Sequence, residues 1–261
     1  PDPMTTTTRT TDEAAIRDLN FYLIDRKGAV VLYRYLTATT LRFECLPGDY
    51  LVRIAANVGR SLGETADLFQ YKVTYQEHYN MLPMFCEQKT TISLSSDGVV
   101  QLPPITVKRV VSKISYNLTA KPADLELKSV QLISIPRTAV VFAPDGTAAD
   151  NPDDYTDSPE TTLTGQRAAG SYYMLPNRQG VNTSITDQKQ KNADNAPACA
   201  SWLLIRATRG SKVLAYSVYL GENNTSDFNV RANSHYTLNI TLLNDNTADT
   251  RIASYTATVY D

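Results

Sequence analysis

The 261-residue chain is long enough for two domains of about 100–150 residues, each with its own core. A formal charge of −2, from 25 Lys and Arg against 27 Asp and Glu, supplies no field that would draw in nucleic acid or an anionic membrane. No apolar run approaches the ~20 residues of a transmembrane segment, and residues 1–11 lack the apolar centre of a signal peptide, which places any export signal upstream.

Threonine, tyrosine and valine are abundant and no long Ala/Leu/Glu/Lys stretch occurs, so strands are expected throughout. The chain opens on a polar leader, residues 1–15, with nothing to bury. LNFYLID (Leu19–Asp25) is the first predicted strand; Arg26–Gly28 turns it into AVVLYRYL as a β-hairpin. In LRFECLPGDYLVRIAAN, Leu41, Phe43 and Cys45 share one face and Arg42 and Glu44 the other. Pro47-Gly48-Asp49 then reverses the chain, and a second hairpin is predicted. Alternation weakens from Val58 to Met81, where SLGETADLFQYK fits a short helix slightly better than a loop.

TTISLSSDGVVQL restores alternation around an Asp97-Gly98 turn, and Pro103-Pro104 resists a central strand. The run Ile105–Leu118 exceeds one ordinary strand, so a domain joint is placed near Val110. The expected domains are 1–110 and 111–261. In the second, LELKSVQLISIP reads as a bent strand or strand pair, followed by a long polar surface loop to Gly170. SYYMLPNRQG, the hairpin WLLIRAT/KVLAYSVYL around Arg209–Ser211, and FNVRANSHYTLNITLL follow. The short links between them favour antiparallel meanders. The predicted class is all-β, two antiparallel β-sandwich domains in tandem, because stacking two sheets buries one face of each strand.

Catalytic patterns are absent: there is no GxSxG elbow, phosphate loop, dinucleotide fingerprint or HExxH. His78 and His235 stand alone, and Cys45, Cys86 and Cys199 have neither zinc nor disulfide spacing. No enzyme, cofactor or metal centre is expected. Asp145, Asp150, Asp153, Asp154 and Asp157 crowd one loop, 145–157, with a spacing unlike an EF-hand; a solvated turn is preferred to a calcium site. Tyr172 and Tyr173, beside a polar loop, and Trp202, at the head of an apolar strand, are the aromatic candidates for ligand contact.

Several stretches together resemble the fimbrillin-like family, type V pilus subunits of Bacteroides-group bacteria. DEAAIRDLNFYLID and LRFECLPGDYLVRIAAN resemble the opening of the family's N-terminal domain, and VKRVVSKISYNL the segment joining its two domains. SYYMLPNRQG, WLLIRA, AYSVYLG and DFNVRANSHYTLNITLL follow in the order of its C-terminal domain. The resemblance implies two transthyretin-like sandwiches, export as a lipoprotein precursor, and assembly at the outer membrane into surface fimbriae used for adhesion. It also implies cleavage by a trypsin-like protease after an N-terminal arginine, here Arg9 in TTTTRTTDEAAI, removing a first strand and opening a groove in the N-terminal domain. Neither that strand nor a lipid-bearing cysteine is among these residues.

The segment TRIASYTATVYD carries the remaining expectation, a terminal strand at 251–260. Ala253, Tyr255, Ala257 and Val259 share one face, and such a strand can complete the open sheet edge of another subunit or fold back on its own domain. Burying those four side chains is worth on the order of 4–8 kcal/mol before ordering costs. The expected partners are therefore other fimbrial subunits, through strand exchange, with host or bacterial surface ligands besides. The alternative function is a cell-surface glycan-binding module using Tyr172, Tyr173 or Trp202 as stacking platforms.

Overall fold

A computed structural model describes residues 13–245 except 65–66, 68–69 and 97. Arg9 and the predicted strand 251–260, with Ala253, Tyr255, Ala257 and Val259, lie outside the described residues. The chain is all-β, its only described helices being two three-residue 3-10 turns. Among the described residues no helix is long and apolar enough to cross a membrane. It divides into two compact units: the first draws its described residues from Pro1–Leu68 and His78–Lys108, the second from Phe69–Glu77 and Arg109–Asp261.

The strands in chain order begin with β1 (Leu19–Ile24), β2 (Val30–Leu36), β3 (Gly48–Ala56), β4 (Lys72–Thr74), β5 (Met84–Ile92) and β6 (Lys108–Arg109). In the first unit these build one sheet in the order β2-β1-β3-β5-β6. The β1–β2 hairpin closes at Gly28, whose φ of +83° a side chain would resist. Pairing registers Leu19, Phe21 and Leu23 of β1 against Ala56, Ile54 and Val52 of β3, which in turn oppose Met84, Cys86 and Gln88 of β5. All but Gln88 are buried, so this is the core face.

On the opposite face, Asn20, Tyr22 and Tyr33 receive the loop that follows β3. Asn20 donates to Arg60 O and accepts from Leu62 N, and Tyr22 donates to Gly63 O. Every residue of β1 is therefore buried, which is why a strand reading as apolar alternation carries an asparagine and a tyrosine in between. Where the chain enters β1 it is tied down. Asn57, in the left-handed region at φ 60°, donates to Ala15 O and Leu82 O and accepts from Arg17 N; Asp18 caps Val58 N and Gly59 N.

Two expectations for residues 37–77 need correction. The SLGETADLFQYK stretch contains no helix among its described residues; Lys72–Thr74 forms β4 instead. Tertiary pairing overrides a weak local preference, because β4 finds a partner in Thr138–Val140, some 65 residues downstream. The alternation in LRFEC is present, with Leu41, Phe43 and Cys45 half-buried and Arg42 and Glu44 exposed, yet residues 37–47 belong to no strand and β3 begins at Gly48. Periodicity sets which side chains turn inward; a ladder also needs a neighbour, and no described strand lies beside this one.

The second unit adds β7 (Ser112–Ala120), β8 (Leu125–Ile133), β9 (Ile135–Pro136), β10 (Thr138–Val140), β11 (Tyr155–Thr156), β12 (Thr161–Thr162) and β13 (Arg167–Met174). It ends with β14 (Asn177–Val181), β15 (Trp202–Arg209), β16 (Lys212–Tyr219), β17 (Asp227–Val230) and β18 (His235–Leu242). A four-stranded sheet, β12-β8-β15-β16, and a three-stranded sheet, β13-β7-β18, contribute alternate residues to one core. Ile114, Tyr116 and Leu118 of β7 and Tyr236, Leu238 and Ile240 of β18 meet Leu127, Leu203, Ile205 and Tyr216 there. The antiparallel expectation holds for every described pair except one. β18 runs parallel to β7, whose residues lie about 120 positions earlier, so the link is the rest of the unit rather than a short crossover. The bent strand predicted at LELKSVQLISIP is β8 and β9 with Ser134 between them at φ 61°.

Candidate functional site

In the first unit, main-chain hydrogen-bonding capacity is left over beside apolar surface. Phe43 lies against Phe21 with ring centroids 5.7 Å apart, so the unladdered segment 41–45 covers the core face of the sheet. Among the described residues, no main-chain group within 37–47 bonds to another main chain; Leu46 O accepts from the Tyr50 hydroxyl at 2.7 Å. After β5 the chain turns at Gly98, whose N–H donates to Ser95 O, but the segments flanking that turn form no ladder either. Of the hairpin predicted around Asp97-Gly98, the turn at Gly98 is seen without a ladder among the described residues beside it, and Asp97 lies outside the described residues.

Leu46, Leu94 and Val99 stand 79%, 83% and 73% exposed, and Val31 and Tyr35 on the outermost strand β2 are exposed as well. A half-buried extended run with unpaired amides, near apolar side chains in water, is what an added strand would complete. Burial raises the Cys45 thiol above its usual range, so it serves as packing there.

In the second unit, the aromatic candidates do not converge. Tyr172 points into the core beside Tyr116, its hydroxyl donating to Val130 O at 3.0 Å, and burial raises its pKa. Tyr173 faces the other way, under Lys113 Nζ at 5.8 Å. Trp202 packs with Tyr219 at 5.8 Å in a separate cluster with Phe228, Ile185 and Ala200. His235 Nε2 meets Ser115 Oγ at 2.7 Å, and His78 is exposed. Asp145 turns away from its loop to cap Ala232 N at 2.8 Å, and among the described residues no three His, Cys, Asp or Glu side chains are arranged to hold a metal.

A buried polar network unannounced by any motif lies at one end of this unit. Asn177, fully buried, donates to Cys199 O and Ser201 Oγ and accepts from the Tyr155 hydroxyl, whose pKa burial pushes up to about 12. Lys191, 5% exposed, donates to Asn223 O at 2.6 Å and lies 5.2 Å from the centre of the Phe228 ring. Burial pushes its ammonium down to about 7, with Asp227 pulling the other way. Residues 186–197 are polar in composition; only the contacts of the fold show that one lysine among them turns inward.

Beside this network an open cleft of about 370 Å³ is lined by Ser134, Arg137, Thr156, Asp157 and Cys199, among others. At the far end of the unit, Asp245, the last described residue, is bound by Arg209 at 3.0 Å and by Lys212, and Arg209 also pairs with Asp124. Tyr216 holds Asn244 O at 2.6 Å, so the chain leaves from a fixed point beside the β15–β16 turn.

This architecture is a fold shared with a fimbrial protein and candidate cell adhesion proteins of solved structure. Among solved structures the chain resembles the tip fimbrial protein Mfa3 from Porphyromonas gingivalis with C-terminal truncation (TM-score 0.63, 15% identity, 95% of each chain covered). It also resembles a candidate cell adhesion protein from Parabacteroides distasonis (TM-score 0.63, 13% identity, 97% of this chain and 95% of that one). A third, also a candidate cell adhesion protein, comes from Bacteroides eggerthii (TM-score 0.60, 13% identity, 95% and 89%). A family model described as a domain of unknown function (DUF4906) matches residues 172–240, from within β13 to within β18. No curated protein matches the chain.

Proposed function

We propose that this chain is a non-catalytic structural or adhesive subunit of a cell-surface fimbria, located outside the cell, with other fimbrial subunits as partners. In this reading, removal of the leader at Arg9 readies the first unit to accept a strand, and residues 251–260 of a neighbouring copy or subunit supply it. The observation that carries the proposal is the alternating, half-buried run Leu41–Phe43–Cys45, which has the side-chain pattern of a strand and no ladder with any other described residue. The donor fits by composition: Ala253, Tyr255, Ala257 and Val259 would face a groove while main-chain bonds run alongside. The sixteen residues beyond Asp245 would span about 50 Å when extended. The fold shared with fimbrial and adhesion proteins supports the same reading.

The test compares protein cut after Arg9 with uncut protein, each with and without residues 251–261, by size-exclusion chromatography with light scattering. Cut protein bearing the tail is expected to form oligomers that persist on dilution, and cut protein lacking it to stay monomeric and folded. If removing the tail instead unfolds the monomer, the segment belongs to its own domain and the proposal is wrong.

A further inference from the structure

The cleft in the second unit is built rather than incidental. Ser134, the left-handed residue between β8 and β9, ties three segments together: its N–H donates to Asp157 Oδ1 at 2.9 Å, its hydroxyl to Cys199 O at 2.9 Å, and its carbonyl accepts from Ser201 Oγ at 2.6 Å. A non-glycine residue at φ 61° carries strain, and such strain gathers where geometry is held for a purpose. Arg137 forms one wall. Its main-chain N–H donates to Asp154 O and its Nε to Asp153 O at 3.1 Å, which fixes the plane of the guanidinium.

What these bonds leave unspent defines the ligand. The terminal nitrogens of Arg137 are donors without a partner among the described residues, the second oxygen of Asp157 is an acceptor in the same condition, and the Thr156 hydroxyl can act either way. Donors and acceptors facing one polar cavity suit a molecule offering both, with neighbouring hydroxyls to share the carboxylate. Asp150, Asp153, Asp154 and Asp157 outnumber Arg137 here, so the local charge disfavours a carboxylate or phosphate. The volume, at the small end of the 300–1,000 Å³ usual for ligand pockets, suits one sugar ring.

The geometry points to a binding site for a neutral saccharide unit of a surface glycan, with Asp157 accepting from vicinal hydroxyls and Arg137 donating to them. It is a function additional to strand pairing and does not rest on it. Neither Tyr172, Tyr173 nor Trp202 takes part.

The experiment is a saturation-transfer and chemical-shift NMR titration of the full chain with methyl glycosides of neutral hexoses and with glucuronate and N-acetylneuraminate as acidic counterparts. At least one neutral glycoside is expected to bind saturably, with a dissociation constant near the millimolar range usual for about a dozen heavy atoms. Asp157→Asn keeps an acceptor for Ser134 N but replaces the free acceptor with a donor, and Arg137→Met keeps the main-chain bond to Asp154. Each is expected to weaken binding about tenfold or more while leaving the thermal unfolding curve in place. Absence of saturable binding to every neutral glycoside, preference for the acidic sugars, or affinity unchanged in both variants would each overturn the assignment.

Discussion

Gly221→Ala is expected to lower the stability of the second unit by about 3–5 kcal/mol, a large part of the 5–15 kcal/mol that holds a typical domain folded. Gly221 has φ +151°, and a Cβ there would lie 1.9 Å from Asp227 O and 2.6 Å from its carbonyl carbon. Both are main-chain atoms, so relief requires moving the 221–227 loop. That loop is held by Asp227, which accepts from Glu222 N and Asn229 N, and by the Lys191 bond to Asn223 O. Backbone strain of about 1–3 kcal/mol therefore adds to an overpacking cost of similar size. Trp202 is the chain's single tryptophan and packs against Tyr219 in the same unit, so its fluorescence reports this transition separately. The urea midpoint by this probe should fall by roughly 1–2 M. Gly165→Ala, at φ +76° with nothing within 4 Å of its Cβ, should cost only about 1 kcal/mol. Equal effects from the two would refute the close-approach argument.

The second large effect is one of pH. Lys191 titrates at about 7 when folded, against 10.5 for a free lysine. Between those values the unfolded chain binds a proton that the folded chain does not, so raising the pH disfavours unfolding. Stability from this group therefore rises from about pH 7 toward pH 10.5, by at most about 1.4 kcal/mol per unit, and is level below pH 7. Buried tyrosines act in the opposite sense from about pH 10 upward: Tyr155 and Tyr236 are raised from 10 to about 12 and burial also raises Tyr219, so the stability they contribute is lost as pH rises through that range, a loss common to wild type and a Lys191 variant. In Lys191→Met the rise should vanish, so that the stability difference between wild type and variant shifts by about 2–4 kcal/mol in favour of wild type from pH 7 to pH 10. A pH-independent difference would mean the ammonium stays charged against Asp227 and Asn223 O throughout.

Local signals carried much of the fold. LNFYLID with its Arg26–Gly28 turn became β1 and β2, WLLIRAT and KVLAYSVYL became β15 and β16, and LELKSVQLISIP bent at Ser134. In each case neighbours in sequence are neighbours in space, and alternation plus a turn is enough. Where the partner is distant the sequence is silent: nothing in NSHYTLNITLL says that it pairs parallel to SKISYNLTA, or in YKVTY that it pairs with Thr138–Val140.

The site was less legible for a related reason. Ser134, Arg137 and Asp157 meet only because β9, β11 and the loop before β15 are folded together, and Asp157 was visible in sequence merely as one acid of a crowded loop. Lys191 sat in a polar stretch whose composition signals solvent, and its burial depends on Phe228 and Asn223, more than thirty residues on. The alternation at Leu41–Cys45 could be read directly, but not that it lacks a neighbour among the described strands.

The account turns on whether that run takes up an added strand. The direct measurement is hydrogen exchange of the amides at 41–46 in protein cut after Arg9 and shortened to Asp245, before and after addition of a synthetic TRIASYTATVYD peptide. Exchange across 41–46 should slow about tenfold or more, each factor of ten reflecting about 1.4 kcal/mol of added protection. A peptide that leaves these amides unchanged, or that protects only the edge of β18, would contradict it.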